Sequence, residues 1–480
     1  MCEPYTPRRM ETIKKPLGLL LGCLLLAGCA ATRAPQNPPI PYLDESSGYR
    51  PSLFSQSYGD HQVILAFSGG GTRASALSYG VMKELRDTSI PDGPAGYPAA
   101  ESDAPASAQS TSLLSEVDLI SSVSGGSFTA AYYGLYGERI FEDYEKDFLK
   151  SGVQSTLIRR LFNPMYWGRL LFGGYDRTEL AIEYYDQLLF KGATYADLSK
   201  GDLPFVAITA TDLYSGLGIV FSQDYFDFFC SDLDEFSVAR AVTASSAVPV
   251  AFPTVVLNNF NGNCGVPKSF LRATGNVATS EYQVTPQDRP LVFGLVNRRE
   301  AYAALVRRPY IHLVDGGVAD NLGLRALLEH MALTDEQTFI RQIANAPEKN
   351  LVILVNAEVS TDSEIGLSAA KPGAIQAAST LTNMGLEETS RKTKELFREK
   401  AREFERITAE LGYPKQVYFV EISFASIPSK EAKLFFNKLP TSLELKHDEV
   451  DRLIAAGRKL LRNNPEFQRF LRDAGGTGPR

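Results

Sequence analysis

The chain has 480 residues, 44% of them hydrophobic and 22% charged. This is ordinary globular composition, with enough chain for one large α/β core carrying insertions. A formal net charge of −7 gives a nucleic-acid partner no electrostatic support, and no repeat of fixed period stands out.

Arg8, Arg9, Lys14 and Lys15 precede an apolar run from Pro16 to Gly28. That is signal-peptide length, short of the ~20 residues a membrane span needs. The run ends Leu26-Ala27-Gly28-Cys29, which resembles the lipobox of bacterial lipoproteins. The resemblance implies that residues 1–28 are removed and that the Cys29 sulfur receives diacylglycerol. An ordinary secretory peptide or a signal anchor is the alternative, and Met10 heads a cleaner signal than Met1. Ala30 stands where an aspartate would mark inner-membrane retention, so analogy favours a lipid-anchored protein of the cell envelope, on the outer membrane. Residues 29–60 open with a stretch rich in Pro, Ala, Asn and Ser that reads as a solvated tether.

Val63 to Phe67 is a buried-strand run that stops at Ser68-Gly69-Gly70-Gly71, and Ser75 to Arg86 has helical spacing. Residues 94–112 form an Ala/Ser/Pro-rich insertion. A second strand is expected over Val117–Val123, with a helix from Ser127. Further strands are expected at Phe205–Ala210, Ile311–Val314 and Leu351–Asn356, and helices at Leu322–Leu333, Ala374–Leu411 and Asp448–Leu471. Residues 261–308 are irregular and read as the largest insertion. Strands alternating with helices imply a mostly parallel sheet covered on both faces. The catalytic domain is expected over 61–360, with a mainly helical C-terminal part over 361–480 packed on it.

Three motifs carry chemistry. Ser122-Val123-Ser124-Gly125-Gly126 lies between a strand and a helix, where small neighbours let a serine occupy a strained turn with its hydroxyl exposed. Such a serine needs a base. His61 precedes the first strand, His330 and His447 lie in helical sequence, and His312 sits inside a strand. None has the loop position of a triad histidine, so a carboxylate is expected instead. Asp315 in Val314-Asp315-Gly316-Gly317 follows an apolar strand, beside glycines that let another backbone approach. Gly69-Gly70-Gly71 presents N–H groups at a helix start, suited to a phosphate or an oxyanion. The Gly-Lys-Ser/Thr of a phosphate loop is missing, and the glycine spacing fails the dinucleotide fingerprint.

In this order the blocks resemble the patatin-like phospholipase family: Gly69–Arg73, Ser122–Gly126, Ala244-Ser245-Ser246-Ala247-Val248-Pro249 with Phe252-Pro253, and Asp315-Gly316-Gly317 with Asp320-Asn321. Two positions depart from the pattern. Ser122 replaces the usual elbow glycine, and Ala74 replaces a glycine after the basic residue. The resemblance implies a three-layer α/β/α fold with a mostly parallel central sheet. It implies a serine lipid acyl hydrolase of the phospholipase A or lysophospholipase type, working through an acyl-enzyme. Ser124 is then the nucleophile and Asp315 its base, with Gly69, Gly70, Gly71 and Gly125 around the oxyanion. Arg73 steadies the loop or binds an anionic head group, and the Ala244–Pro253 block lines the cleft. No metal or other cofactor is implied; the partners are a phospholipid or other lipid ester and a membrane surface. A catalytically silent lipid- or partner-binding lipoprotein, and an acyltransferase using the same dyad, are the competing readings.

Two further expectations come from the residues alone. Outside the signal region and Cys29 only Cys230 and Cys264 remain, an even pair in an oxidising compartment, expected to form a disulfide. Leu157 to Phe172 combines three arginines with Trp167, the only tryptophan, placed as a substrate-side contact. It reads either as a hinged interfacial flap, broken at Pro164 and Gly168, or as a helical hairpin packed on the core.

Overall fold

The structure, a computed structural model, describes residues 35–54, 61–91, 110–172, 175–201, 203–249, 252–260, 264–265, 308–333, 346–359 and 374–479. The expected signal peptide, Cys29, the first part of the expected tether and most of both expected insertions lie outside them.

Ten strands are present among the described residues: β1 (His61–Phe67), β2 (Ser89–Pro91), β3 (Ser110–Ser112), β4 (Val117–Val123), β5 (Phe205–Asp212), β6 (Gly218–Val220), β7 (Val255–Asn258), β8 (Tyr310–Asp315), β9 (Lys349–Asn356) and β10 (Gln416–Ser423). β2 and β3 form a small antiparallel ribbon, and the other eight build one sheet in the order β10-β9-β1-β4-β5-β8-β7, with β6 on β5. β10, β9, β1, β4 and β5 run parallel, whereas β8 runs antiparallel to β5.

The main helices are α1 (Thr72–Arg86), α2 (Gly125–Tyr136), α3 (Val153–Leu161), α4 (Pro164–Phe172), α5 (Arg177–Tyr185), α6 (Val238–Ser245), α7 (Leu324–Leu333), α8 (Ala374–Glu410), α9 (His447–Arg462) and α10 (Pro465–Ala474). The period of two along β1 makes the layers. Val63, Leu65 and Phe67 join the large core that holds α1, α2 and α9, while Ala66 and Ile64 join Leu324, Leu327, Leu328 and Phe397 of α7 and α8 on the other face. The three-layer α/β/α architecture follows.

α1 and α9 touch backbone to backbone. A methyl group at Gly80 would lie 2.3 Å from the Ile454 carbonyl oxygen, and one at Gly457 would lie 2.5 Å from that of Leu77. At this crossing the buried Glu84 accepts from both Arg458 and Arg462, at 3.1 and 2.6 Å.

Some expected boundaries change. The run Asp448–Leu471 is two helices, because Asn464 caps the second through the N–H groups of Glu466 and Phe467 and Pro465 starts it. Within the mainly helical C-terminal part, β10 was not expected and extends the sheet beside β9. In the Leu157–Phe172 segment the break falls before Pro164, whereas Gly168 sits inside α4 and breaks nothing.

Candidate active site

β5 acts as the ruler of the site. Val123, the last residue of β4, pairs with Thr209, and Asp315, the last residue of β8, pairs with the adjacent Ala210 from the opposite side and direction. The strand ends therefore straddle β5, and Ser124 meets Asp315 although 191 positions separate them. Gly316 makes the turn possible, since a methyl group there would lie 2.1 Å from the Thr209 carbonyl oxygen.

Ser124 has φ 51° and ψ −119°, a left-handed conformation that costs a non-glycine residue energy. Its surroundings enforce it. A methyl group at Gly125 would lie 2.1 Å from the Gly71 carbonyl oxygen, and one at Gly126 would lie 2.7 Å from Phe67 Cβ, so α2 starts in direct contact with the glycine loop. The Ser124 N–H donates to Ser245 Oγ (2.8 Å), and Ser245 Oγ–H donates to the Thr209 carbonyl (2.7 Å).

The Ser124 hydroxyl donates to Asp315 Oδ2 at 2.9 Å. Asp315 Oδ1 accepts the Gly317 N–H at 2.8 Å, and Thr211 Oγ1 donates to the Asp315 carbonyl at 2.8 Å. Burial pushes the Asp315 carboxyl up to about 6, against the opposing pull of the Gly317 and Ser124 hydrogen bonds. Of the histidines, His312 lies exposed on β8 with Nδ1 3.2 Å from Thr254 Oγ1, and His447 Nε2 is 3.1 Å from the Lys150 carbonyl. No hydrogen bond between Ser124 and a histidine occurs among the described residues.

The glycine loop faces this pair. Gly70 and Gly71 have φ 141° and 61°, and among the described residues no hydrogen-bond acceptor takes their N–H groups. Gly69 differs from the expectation. Its N–H donates to the Asn321 carbonyl at 2.9 Å and is not available to an oxyanion. Gly69 instead makes room, because a methyl group there would lie 2.3 Å from Asn321 Oδ1. Asn321 Nδ2 donates to Glu358 Oε1 (2.8 Å), while Asp320 accepts the N–H groups of Leu322 and Arg325 at the start of α7.

Arg73, expected either to steady the loop or to bind an anionic head group, makes its contacts within the protein. It is buried, and its guanidinium donates to the carbonyls of Ala357 (2.9 Å) and Leu439 (2.6 Å) and to Thr441 Oγ1 (3.1 Å). Burial pushes its pKa down to about 10. With all three guanidinium nitrogens engaged by protein acceptors, it fastens the loop to a strap of C-terminal chain. Ser442 belongs to that strap. Its carbonyl accepts the Thr72 N–H at 2.8 Å and would lie 2.2 Å from a methyl group on Gly71.

Trp167 lies on α4, 39% exposed, with no contact to Ser124 or Asp315 among the described residues. Cys230 and Cys264 are joined as a disulfide. Among the described residues no cluster of three His, Cys, Asp or Glu side chains could hold a metal ion, and no helix is long and apolar enough to cross a membrane. Sequence reasoning missed Ser245 as the brace of the elbow and Ser442 as the cover of the glycine loop. The first had a signal in the Ala244–Pro253 block, and the second acts through its main chain.

An α/β sheet carrying a serine elbow, a facing aspartate and a glycine loop defines a class of esterase-like folds. Residues 65–328 match the family described as "Patatin-like phospholipase", and the chain belongs to that family. Membership places it, at family level, among lipid acyl hydrolases. No curated protein sequence matches the chain. Among solved structures it is similar to human GIVD cytosolic phospholipase A2, at 11% identity and a TM-score of 0.42, over 93% of this chain and 66% of that one. The chain thus spans slightly less than two thirds of that structure's length.

Proposed function

We propose that the protein is a serine lipid acyl hydrolase of the phospholipase A or lysophospholipase type, with Ser124 as nucleophile and Asp315 as base. The observation that carries this reading is the 2.9 Å hydrogen bond from a strained elbow serine to a buried carboxylate.

As Ser124 Oγ attacks the ester carbonyl, its proton passes to Asp315 Oδ2, while Gly317 keeps the other carboxylate oxygen in place. Negative charge on the carbonyl oxygen meets the N–H groups of Gly70 and Gly71, with Gly125 N–H at the first turn of α2 beside them. Asp315 then returns the proton to the departing alcohol, leaving an acyl ester on Ser124. Water adds to that ester, giving its proton to Asp315, and the fatty acid leaves as Asp315 passes the proton back to Ser124 Oγ. A carboxyl near 6 suits both halves, being mostly ionised at neutral pH yet a better base than an exposed carboxylate.

The test is labelling with a fluorophosphonate ester followed by peptide mapping, alongside hydrolysis of short esters and phospholipids. The label should sit on Ser124 and disappear in Ser124→Ala together with hydrolysis. Hydrolysis surviving in Ser124→Ala would place the nucleophile elsewhere. The proposal extends to location: acylation of Cys29 would tether the domain to a membrane of the cell envelope, and Cys29→Ala should release it from the membrane fraction.

A further inference from the structure

The hairpin of α3 and α4 differs from the rest of the chain in charge. From Phe148 to Tyr175 the sequence has no acidic residue but carries Lys150, Arg159, Arg160 and Arg169, in a protein of net charge −7. Lys150 is paired with Glu145 and Asp451 and Arg169 with Glu183, which leaves Arg159 and Arg160 as the cations without a carboxylate partner among the described residues. It differs in burial as well. Val153 and Leu157 seat α3 in the core, yet Ile158, Phe162, Met165 and Trp167 are 49%, 56%, 86% and 39% exposed. Four large apolar side chains facing water within ten residues of chain form a patch of the kind that marks an interaction surface.

The chain at the start of this hairpin and just beyond its far end is bonded to elements that carry the candidate site. At its start the Ser155 N–H donates to Glu444 Oε2 (2.8 Å) and the Leu443 N–H donates to Gln154 Oε1 (3.2 Å). These partners adjoin Ser442, whose carbonyl covers Gly71. Beyond its far end, Thr178 Oγ1 on α5 donates to the Pro253 carbonyl (2.7 Å), and Glu179 pairs with Arg240 (2.6 Å) on α6. α6 ends in Ser245, the residue that braces Ser124. The chain on either side of the exposed patch is therefore bonded to the strap beside the glycine loop and to the helix that carries Ser245.

We propose that the α3–α4 hairpin is a docking surface for an anionic lipid bilayer, held beside the Ser124 site. Its purpose rests on the lipid-hydrolase reading, but docking itself needs no catalytic residue. Arginines at phosphate level and Phe, Trp, Met and Ile at the acyl boundary are the side chains such an interface uses. Arg159 is placed for this, since the only side-chain hydrogen bond it makes among the described residues is to Thr156 Oγ1 on its own helix. Each side chain of this size that leaves water favours the bound state by about tenfold or more.

Trp167 is the only tryptophan in the chain, so its emission reports on this hairpin whatever else attaches the protein to a vesicle. The full chain carrying Ser124→Ala is titrated with vesicles of phosphatidylcholine alone and of phosphatidylcholine with phosphatidylglycerol, each with and without brominated acyl chains. The expected result is a blue shift and bromine quenching with the anionic vesicles, weakened by salt. Adding Phe162→Asp and Met165→Asp, both at exposed positions, should lower partitioning about tenfold or more with the thermal transition unchanged. Emission that ignores anionic vesicles, responds equally to phosphatidylcholine alone, or shifts equally in the Asp variant overturns the proposal. A shift that depends on protein concentration without lipid overturns it too, in favour of a second copy on this face. Hydrolysis of a soluble short-chain ester by the Ser124 chain is read separately. Loss of docking with that activity intact sinks this proposal alone, and loss of that activity with docking intact sinks only the catalytic reading.

Discussion

Ser245 Oγ accepts the main-chain N–H of Ser124 at 2.8 Å, which ties the end of α6 to the elbow. Ser245→Ala leaves that N–H without an acceptor in a buried site. The expected loss of stability is about 1–3 kcal/mol. On the proposed mechanism, the hydrolysis rate of a soluble ester should fall mainly through kcat, because Ser124 loses its position. Thermal unfolding and steady-state kinetics on one preparation check both; an unchanged kcat would remove Ser245 from the machinery.

The conformation of Ser124 can be weighed directly. At φ 51° a residue with a Cβ is strained and glycine is not. Ser124→Gly should therefore be more stable than Ser124→Ala by roughly 1 kcal/mol, with both inactive. Equal unfolding midpoints in urea would mean that the elbow stores no strain.

On the proposed dyad, Asp315 should link pH to both rate and stability. With its pKa raised to about 6, kcat/KM for a soluble ester should be level at neutral pH and fall about tenfold per unit well below 6, as the base takes up its proton. In stability the folded protein binds this proton more tightly than the unfolded chain, whose carboxyl titrates near 3.8. The group's favourable contribution is complete below about 4 and is lost as pH rises through about 6. Asp315→Asn, which has no charge to bury, should gain roughly 3 kcal/mol over the parent at pH 8. That gain should vanish by about pH 4. Denaturant unfolding across this range tests the sign, and a destabilised variant at pH 8 would contradict it.

The Cys230–Cys264 disulfide closes a loop with a sequence separation of 34. Replacing both cysteines by serine should cost about 3–4 kcal/mol on the loop-entropy account. Non-reduced peptide mapping of the parent should find the linked pair, and two free thiols there would refute the assignment.

Much of the site was legible because its parts are local. β1, β4, β5, β8 and β9 are apolar runs, and the glycine loop, the elbow and Asp315 each sit where such a run stops. What escaped works through the main chain or across long separations. The Asn321 carbonyl that occupies the Gly69 N–H and the Ser442 carbonyl on Gly71 leave no mark in side-chain chemistry. Arg73 looks free in sequence because its acceptors lie 284 to 368 positions away. β10 was hidden by its place at the sheet edge, where Val417, Phe419 and Glu421 alternate with the fully buried Tyr418 and Val420 and the apolar run is diluted. The helix stop at Asn463-Asn464-Pro465 was written plainly, and the apolar period simply ran across it.

β9 and β10 also bear on where this protein can be divided. The family match ends at residue 328, yet β1 hydrogen bonds along its whole length to β9, at Lys349–Val355. A chain cut after the match would leave His61–Phe67 as a raw edge, with unpaired N–H and C=O groups on a strand that is apolar on both faces. Edges of that kind recruit strands from other molecules. The expected product of such a fragment is an insoluble aggregate, and size-exclusion chromatography of the shortened chain would reveal it. The smallest unit expected to fold is thus set by hydrogen-bonding partners and extends far past the last motif of the candidate site.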